Sequence, residues 1–405
     1  MPEKALDNFF NEFIERKGIF LEKKALQSSY TPDSIPHREE QISQVANILA
    51  PCLRRERPSN LFVYGKTGSG KTLTIKHVVE GLKRVAQSKS IPLETLYLNC
   101  KLKKVADTEY RLIAQLARDL GQPIPATGLP TDEVYSFFYK ILDSMPRIVL
   151  LILDEIDQLA EKTNDQLLYN LTRVNAELKQ AQLALVGISN DPKFTSHLDP
   201  RVKSSLSEEE LVFPPYNALQ LQEILHQRAS LAFHKCALAE GVIEKCAAYA
   251  AREHGDARRA LELLRVAGEL AERDRQSIIA LTHLDAAEEK IDHDSMIDIV
   301  ASQPLQHQLT LFAVLSLCKQ STDPIFTGEI YESYSTLCTK CGVRPLTQRR
   351  ISDILGEFDM LGLLQARIIS KGRYGRTREI RPSLPVATEI EVRKVLCESL
   401  SLPQG

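Results

Sequence analysis

The stretch Gly65-Lys66-Thr67-Gly68-Ser69-Gly70-Lys71-Thr72 satisfies Gly-x-x-x-x-Gly-Lys-[Ser/Thr] at every specified position. No other part of the chain restricts its architecture as tightly. Glycines at these spacings let successive backbone N–H groups converge on one oxygen-rich polyanion. A lysine at position 71 then reaches β- and γ-phosphates, the Thr72 hydroxyl is offered to Mg²⁺, and the following helix adds its partial positive charge. Such a loop works only between a strand and a helix. Asn60–Tyr64 has the apolar pattern of a short buried strand, and Leu73–Val85 has helical spacing. A glycine-rich turn matching by chance is the alternative, and the flanking order disfavours it.

Strand and helix patterns alternate from 60 to 213. Strands are expected at Leu93–Asn99, Arg147–Leu153, Leu183–Ser189 and around Leu211–Phe213. Helices are expected at Glu39–Leu53, Asp107–Leu120 and Thr131–Ser144, with Thr131 as a cap. Thr163–Gln166 reads as a capping box that opens a helix reaching Gln180. This alternation predicts an α/β fold with a doubly wound parallel sheet over residues 30–215. The run Arg147–Leu153 is apolar on both faces, as a central parallel strand must be, and it ends in Asp154-Glu155-Ile156-Asp157. Acidic residues at that carboxyl end face the crevice where ligands of such sheets bind. Asp154 is suited to hold Mg²⁺, directly or through water, and Glu155 to polarise an attacking water. The pleat is expected to aim the two carboxylates differently. A solvated acidic turn is the alternative. Asn190 closes the next strand and could orient the water or the γ-phosphate, although asparagine also forms ordinary turns.

Strand signals vanish after Asn217. Helical patterns at Ala218–Phe233, Gly241–Glu253, Asp256–Arg273 and Thr282–Ile297 predict an all-α lid domain over 216–300. Within 301–405, helices at Gln306–Lys319, Thr327–Cys341 and Thr347–Leu361 precede strands Leu363–Ser370 and Thr377–Arg381, a winged helix-turn-helix pattern. Residues 1–29 are expected to be an N-terminal helical extension, because from Leu6 to Leu26 the apolar residues Leu6, Phe9, Phe10, Phe13 and Ile14 are spaced as one face of a helix.

The formal net charge of −2 excludes a uniformly basic coat, so a nucleic-acid surface must be local. Between Lys340 and Arg381 basic residues outnumber acidic ones. Thr347, Gln348, Arg349 and Arg350 open the third helix, whose first residues contact base edges in helix-turn-helix proteins. Lys371, Arg373, Tyr374 and Arg376 lie at the hairpin tip, suited to an adjacent minor groove. Duplex DNA is the expected partner, and a winged helix used for protein contact is the alternative. The eight scattered cysteines argue for reduced thiols. Cys338 and Cys341 have metal-like spacing without a second pair to complete a site. No apolar run is long enough to span a bilayer, and the first residues do not resemble a signal peptide. The expected address is therefore intracellular.

Gly65–Thr72, Asp154–Asp157, Asn190, Arg201 and Gly255-Asp256-Ala257-Arg258-Arg259-Ala260 occur in the order and at roughly the spacing of the AAA+ ATPases. More narrowly, the chain resembles the archaeal replication initiators of the origin-recognition and cell-division-cycle family. That resemblance implies ATP or ADP with Mg²⁺ as ligands, Asn190 as the sensor-one residue and Arg258 as the sensor-two residue. It also implies that Arg201 is an arginine finger acting on a neighbouring protomer's ATP, and that Ile35-Pro36-His37-Arg38 lines the adenine pocket. The insertion around Lys101–Leu120 resembles an initiator-specific helix that touches DNA. The implied function is ATP-regulated binding to replication origins with slow, switch-like hydrolysis, with the replicative helicase and another initiator protomer as partners. The implied place is the cytoplasm, at the nucleoid. A branch-migration type of DNA motor and an ATP-switched transcription regulator are the competing classes.

Overall fold

Every residue of Ile148–Asp154 is buried, and a five-stranded parallel sheet is built around it. The computed structural model describes residues 18–32, 34–101, 108–125, 128–159, 165–206, 208–320, 325–370 and 376–402. The chain divides into two compact units, Met1–Leu284 and Asp285–Gly405.

In the first unit, α1 (Glu39–Leu49) precedes β1 (Leu61–Gly65), α2 (Lys71–Ser88) and β2 (Leu93–Asn99). Then come α3 (Glu109–Asp119), α4 (Thr131–Leu142), β3 (Ile148–Asp154), α5 (Gln166–Arg173) and β4 (Gln182–Ser189). The short helices α6 (Phe194–His197) and α7 (Pro200–Leu206) lead into β5 (Glu209–Phe213). The strand order is β2-β3-β4-β1-β5, so β1 and β3 lie on either side of β4 and their carboxyl ends open on one crevice. One face buries Phe62, Leu151 and Leu153 with α3, α4 and α5, and the other buries Leu61, Val63 and Ile152 with α1 and α2. The doubly wound α/β architecture expected from the alternation is thus present.

Two local expectations need correction, and a third falls outside the described residues. The helix expected to reach Gln180 ends at Arg173, followed by a short 3-10 turn. Asn175 exchanges two 2.8 Å bonds with the backbone of Leu183, and the Asp143 carboxylate accepts from the backbone N–H groups of Lys179, Gln180 and Ala181. These side chains give the backbone partners that compete with a helix. Thr163 and Asn164 lie outside the described residues, and the position preceding α5 is Asp165, which makes no side-chain cap bond. At α4 the cap position is Pro130, leaving Thr131 as the first helical residue.

The first unit continues as α8 (Ala218–Ala232), α9 (Val242–Arg252) and α10 (Ala257–Arg273), and the boundary between units falls inside α11 (Leu281–Ala301). Asn217 and Gln220 form a reciprocal capping box on α8. Residues 1–17 of the expected N-terminal helix lie outside the described residues. Ile19–Glu22 is not helical as expected, and only Lys23–Leu26 forms a 3-10 turn. Phe20 instead pairs with Phe233 as an isolated bridge, and its ring lies 5.0 Å from that of Phe233.

In the second unit, α12 (Leu305–Gln320), β6 (Ile325–Phe326), α13 (Thr327–Lys340) and α14 (Gln348–Met360) precede β7 (Leu364–Ser370), β8 (Arg376–Pro382) and α15 (Val386–Leu400). β7 and β8 form the antiparallel wing, with β6 on the far side of β8. The sequence pattern missed β6, too short for periodicity, and α15, whose buried Val392, Leu396 and Leu400 recur every four residues. Cys338 is buried within α13 and Cys341 is the residue just past it. No described helix is long and apolar enough to cross a membrane.

Candidate functional site

β1 delivers the chain to the crevice at Gly65, and α2 starts at Lys71. Between them Gly68 and Gly70 adopt φ values of 66° and 88°, in the left-handed region that glycine enters freely. A Cβ on Gly68 would lie 1.7 Å from Asp256 Oδ1 and one on Gly70 would lie 2.7 Å from the Tyr216 hydroxyl, so both positions need glycine for space as well. Ser69 Oγ donates to Lys66 O at 2.8 Å, closing the turn. Lys71 Nζ donates to Gly65 O and Lys66 O, both at 2.8 Å, and the residue is only 5% exposed. Burial, then the nearby Arg258 charge, pushes its ammonium down to about 8, while Asp154, Asp157 and Asp256 pull the other way.

Asp154, at the end of β3, is as buried as Lys71. Its Oδ1 and Oδ2 accept from the Thr72 hydroxyl at 3.2 and 3.1 Å, Oδ2 accepts from the Tyr97 hydroxyl at 2.5 Å, and Oδ1 accepts from Glu155 N at 3.1 Å. Glu155 does point elsewhere, but the expected cause is corrected. The strand has already ended, and a φ of 54° at Glu155 turns the chain, so a left-handed residue and not the pleat separates the two carboxylates. Asn190 follows β4, its backbone N–H donates to Asp157 Oδ1 at 3.3 Å, and it lines the same cleft.

The helical side of the cleft comes from α8 and α10. Asp256 caps α10, accepting from Arg258 N at 2.8 Å, and Ala257 N donates to Gly68 O at 3.4 Å, so the helix start sits directly on the glycine loop. The cleft is lined by Tyr30–Pro32, Ser34–Pro36, the loop Gly68–Thr72, Asp154, Glu155, Asn190, Arg228 and Arg258. Arg228 was not singled out by the sequence. Arg228 is buried, its Nη2 donates to Tyr30 O at 3.3 Å, and its guanidinium lies 4.5 Å from the Tyr30 ring centroid. Only its position on an amphipathic helix was legible, which marks core as readily as site.

Of the segment expected to line an adenine pocket, Ile35 and Pro36 border the cleft, but His37 and Arg38 do not. His37 Nε2 lies 2.9 Å from Glu223 Oε2 on α8. Arg38, 2% exposed, donates from Nε to Ser69 O at 2.9 Å and from Nη2 to Pro214 O at 2.6 Å, and it stacks on Tyr216 with 3.9 Å to the ring centroid. It braces the loop from behind. Burial lowers its pKa, and Tyr216 opposes that shift. Arg38→Met would take the guanidinium donors from the buried Ser69 carbonyl and from the part-buried carbonyls of Pro214 and His37. The expected result is a loss of about 2 kcal/mol of stability in chemical denaturation and about tenfold weaker nucleotide binding in a fluorescence titration.

Arg201 lies outside this cleft. Its Nε and Nη2 donate to the Asp199 carboxylate at 3.1 and 2.9 Å, the side chain is 66% exposed, and Asp199 raises its pKa.

In the second unit the Thr347 hydroxyl caps α14, accepting from Arg350 N at 3.4 Å. Gln348, Arg349 and Arg350 are exposed on its first turn. Gln348 and Arg349 border a groove with Thr327 and Gly328 at the start of α13 and with Ile368 and Arg378 on the wing. Arg378 Nη1 donates to Ser352 O at 2.7 Å, tying wing to helix. Arg350 lies 3.4 Å from Glu357. Lys371, Arg373 and Tyr374 lie outside the described residues, and Arg376 is placed only as the first residue of β8. The insertion expected to touch DNA is described at Lys101 and from 108 onward, where Thr108 caps α3.

Residues 54–191 match the family described as AAA domain, 222–289 the Cdc6 AAA+ ATPase-type lid domain, and 298–391 the CDC6 C terminal winged helix domain. An ORC1-type DNA replication protein of Thermococcus onnurineus is 50% identical over 385 residues, covering 94% of this chain and 92% of that protein. The chain belongs to the ORC1-type DNA replication proteins. Another ORC1-type relative, from Methanosarcina mazei, is 48% identical over 401 residues, covering 98% of this chain and 95% of that protein. Among solved structures, the Aeropyrum pernix ORC1 protein in complex with DNA is 42% identical with a TM-score of 0.82, covering 95% of this chain and 98% of that one. The Cdc6p structure of Pyrobaculum aerophilum, 23% identical with a TM-score of 0.59, shares the fold. The sequence resemblance to an archaeal initiator of the AAA+ superfamily therefore holds. In this ORC1-type chain the lid match ends within α11 and the winged-helix match begins within the same helix.

Proposed function

We propose that this replication protein is an ATP-regulated origin-binding initiator in which nucleotide state is read by the helical lid. The observation that carries this reading is a single cleft that receives the glycine loop, the strand-end residues Asp154, Glu155 and Asn190, and Arg258 from α10. Backbone N–H groups of Gly68–Thr72 and the Lys71 ammonium would hold the phosphates, and Tyr30–Pro32, Ile35 and Pro36 would cover the nucleoside. The hard oxygen donors of Thr72 and Asp154, about 3 Å apart, fit Mg²⁺. When bound, that ion neutralises phosphate charge. Glu155 would take a proton from the attacking water, Asn190 would orient that water, and Arg258 would stabilise phosphate charge from the lid.

The outward Arg201 suits action on a second protomer's nucleotide. Its bonds to Asp199 and its place over the Tyr169 ring hold it outside its own cleft. Hydrolysis is slow and works as a switch. The groove between α13, α14 and the wing would hold duplex DNA at the replication origin, and the bound protein would recruit the replicative helicase at the nucleoid. The DNA-bound ORC1 relative supports the duplex assignment.

Footprinting on the DNA flanking the protein's own gene, against random duplex and with ATP or ADP, tests the whole reading. Discrete protected repeats whose occupancy changes with nucleotide are expected, and equal protection of random duplex would overturn it. For the interface itself, Arg349→Ala should weaken duplex binding about tenfold and reduce the salt slope by about one. Fluorescence anisotropy across a salt series measures both, and an unchanged slope moves the contact off the phosphates.

A further inference from the structure

Tyr97 is on β2, the edge strand of the sheet, and belongs to none of the motifs. In register it faces Ile152, two residues before Asp154, and from there its hydroxyl reaches across to donate to Asp154 Oδ2 at 2.5 Å. The Asp154 carboxylate has three donors: the Thr72 hydroxyl, the Glu155 backbone N–H and the Tyr97 hydroxyl. The first comes from the start of α2 and the second from the adjacent residue. Tyr97 alone brings a bond from a different strand, and it is the shortest of the three.

The ring is held as well. The Lys76 ammonium lies 4.2 Å from its centroid, and Lys76 itself lines the nucleotide cleft. Tyr97 is 39% exposed and belongs to neither hydrophobic cluster of the sheet, so its hydroxyl is dispensable for packing.

We propose that Tyr97 is a positioning residue for the divalent cation: its hydroxyl locks the Asp154 carboxylate against Thr72 and so sets how tightly the site takes Mg²⁺ with a nucleoside triphosphate. This rests on the nucleotide reading of the cleft. A carboxylate freed from an outer hydrogen bond must be ordered again by the metal, and removing such partners costs 10- to 100-fold in metal affinity. The effect falls on the metal and not on the nucleotide, because Tyr97 does not line the cleft while Asp154 does.

Tyr97→Phe removes the hydroxyl and keeps the ring. The test follows a fluorescent ATP analogue on the full chain during a Mg²⁺ titration, with Mn²⁺ electron paramagnetic resonance as a direct count of bound metal. Tyr97→Phe should need about tenfold more Mg²⁺ for its half-maximal effect. Its affinity for the analogue in EDTA and its melting temperature should match wild type. An unchanged Mg²⁺ requirement overturns the inference, and a lower one overturns it too, because the hydroxyl then competes with the metal. If wild type does not bind the analogue at all, the nucleotide reading of the cleft fails, and if it binds the analogue with no Mg²⁺ dependence, the metal assignment to Thr72 and Asp154 fails and the inference with it. If wild type shows that dependence and Tyr97→Phe copies wild type, only the role of Tyr97 fails.

Discussion

Lys71→Ala is expected to lose ATP and ADP binding by at least about 100-fold, equivalent to about 3 kcal/mol, while duplex binding by the second unit weakens only modestly. Lys71 is a buried ammonium whose partners are two carbonyls of its own loop, Gly65 O and Lys66 O, with Asp154, Asp157 and Asp256 as acidic neighbours. A buried cation so placed costs stability unless an anion also compensates it. A triphosphate supplies that compensation, so the binding energy concentrates on this one group. The pH dependence has a definite sign. Phosphate binds the protonated amine, and in the free protein burial has brought the pKa down to about 8. Nucleotide affinity should therefore be flat below that value and fall as pH rises through it, by up to about tenfold per unit. In Lys71→Ala the fall near pH 8 should vanish. Isothermal titration from pH 6.5 to 9.5 checks both statements, and wild-type affinity in Lys71→Ala would remove the loop from nucleotide binding.

The loop and its strand were legible because local spacing carries their physics. Glycines at 65 and 70, a lysine and a threonine or serine are required by backbone approach and phosphate charge wherever the loop occurs. The parallel sheet was legible for a related reason, since Ile148–Leu153 can be apolar throughout only when covered on both sides. What escaped was set by tertiary contact. The resemblance placed Arg38 in a base pocket with Ile35 and Pro36, but its neighbours Ser69, Pro214 and Tyr216 are brought to it by the fold. Tyr97 reads as one alternating residue of a half-exposed strand, and only the register with β3 puts its hydroxyl on Asp154. The early end of α5 has the same origin, because Asn175 finds Leu183 only after β4 is in place. The left-handed turn at Glu155 has no residue signature at all. Glycine or asparagine would have announced it, and glutamate does not.

The lid matters because of where α10 begins. Asp256 presses on Gly68 so closely that no Cβ fits between them, and Ala257 N reaches Gly68 O. A change in the loop on phosphate binding must displace this helix start or be resisted by it. Arg258, two residues past Asp256 and exposed beside the cleft, therefore responds to the same displacement. Under the proposed function, that mechanical link would let the lid transmit nucleotide state without a second ligand site.

Glu155→Gln should separate binding from hydrolysis. The two adjacent carboxylates are in different circumstances: Asp154 accepts from three donors across both oxygens, while Glu155 stands on a left-handed turn, 22% exposed, with Lys101 at 3.8 Å as its salt-bridge partner among the described residues. A carboxylate engaged on both oxygens orients metal and cannot also accept a proton, whereas one with free lone pairs at the cleft wall can. Replacing Glu155 by glutamine keeps size and hydrogen bonding and removes the basic oxygen. Turnover should fall by about 10² to 10⁴, or about 3 to 5 kcal/mol in the barrier. ATP affinity and duplex binding should remain within about threefold of wild type. Single-turnover release of the γ-phosphate reads the chemical step apart from product release. Unchanged turnover would assign proton abstraction elsewhere, and loss of nucleotide binding would mean that Glu155 holds the ligand. With hydrolysis removed and the ATP-bound lid retained, the variant should also hold origin DNA in one nucleotide state, so its footprint should stop depending on incubation time while the wild-type footprint drifts toward the ADP pattern.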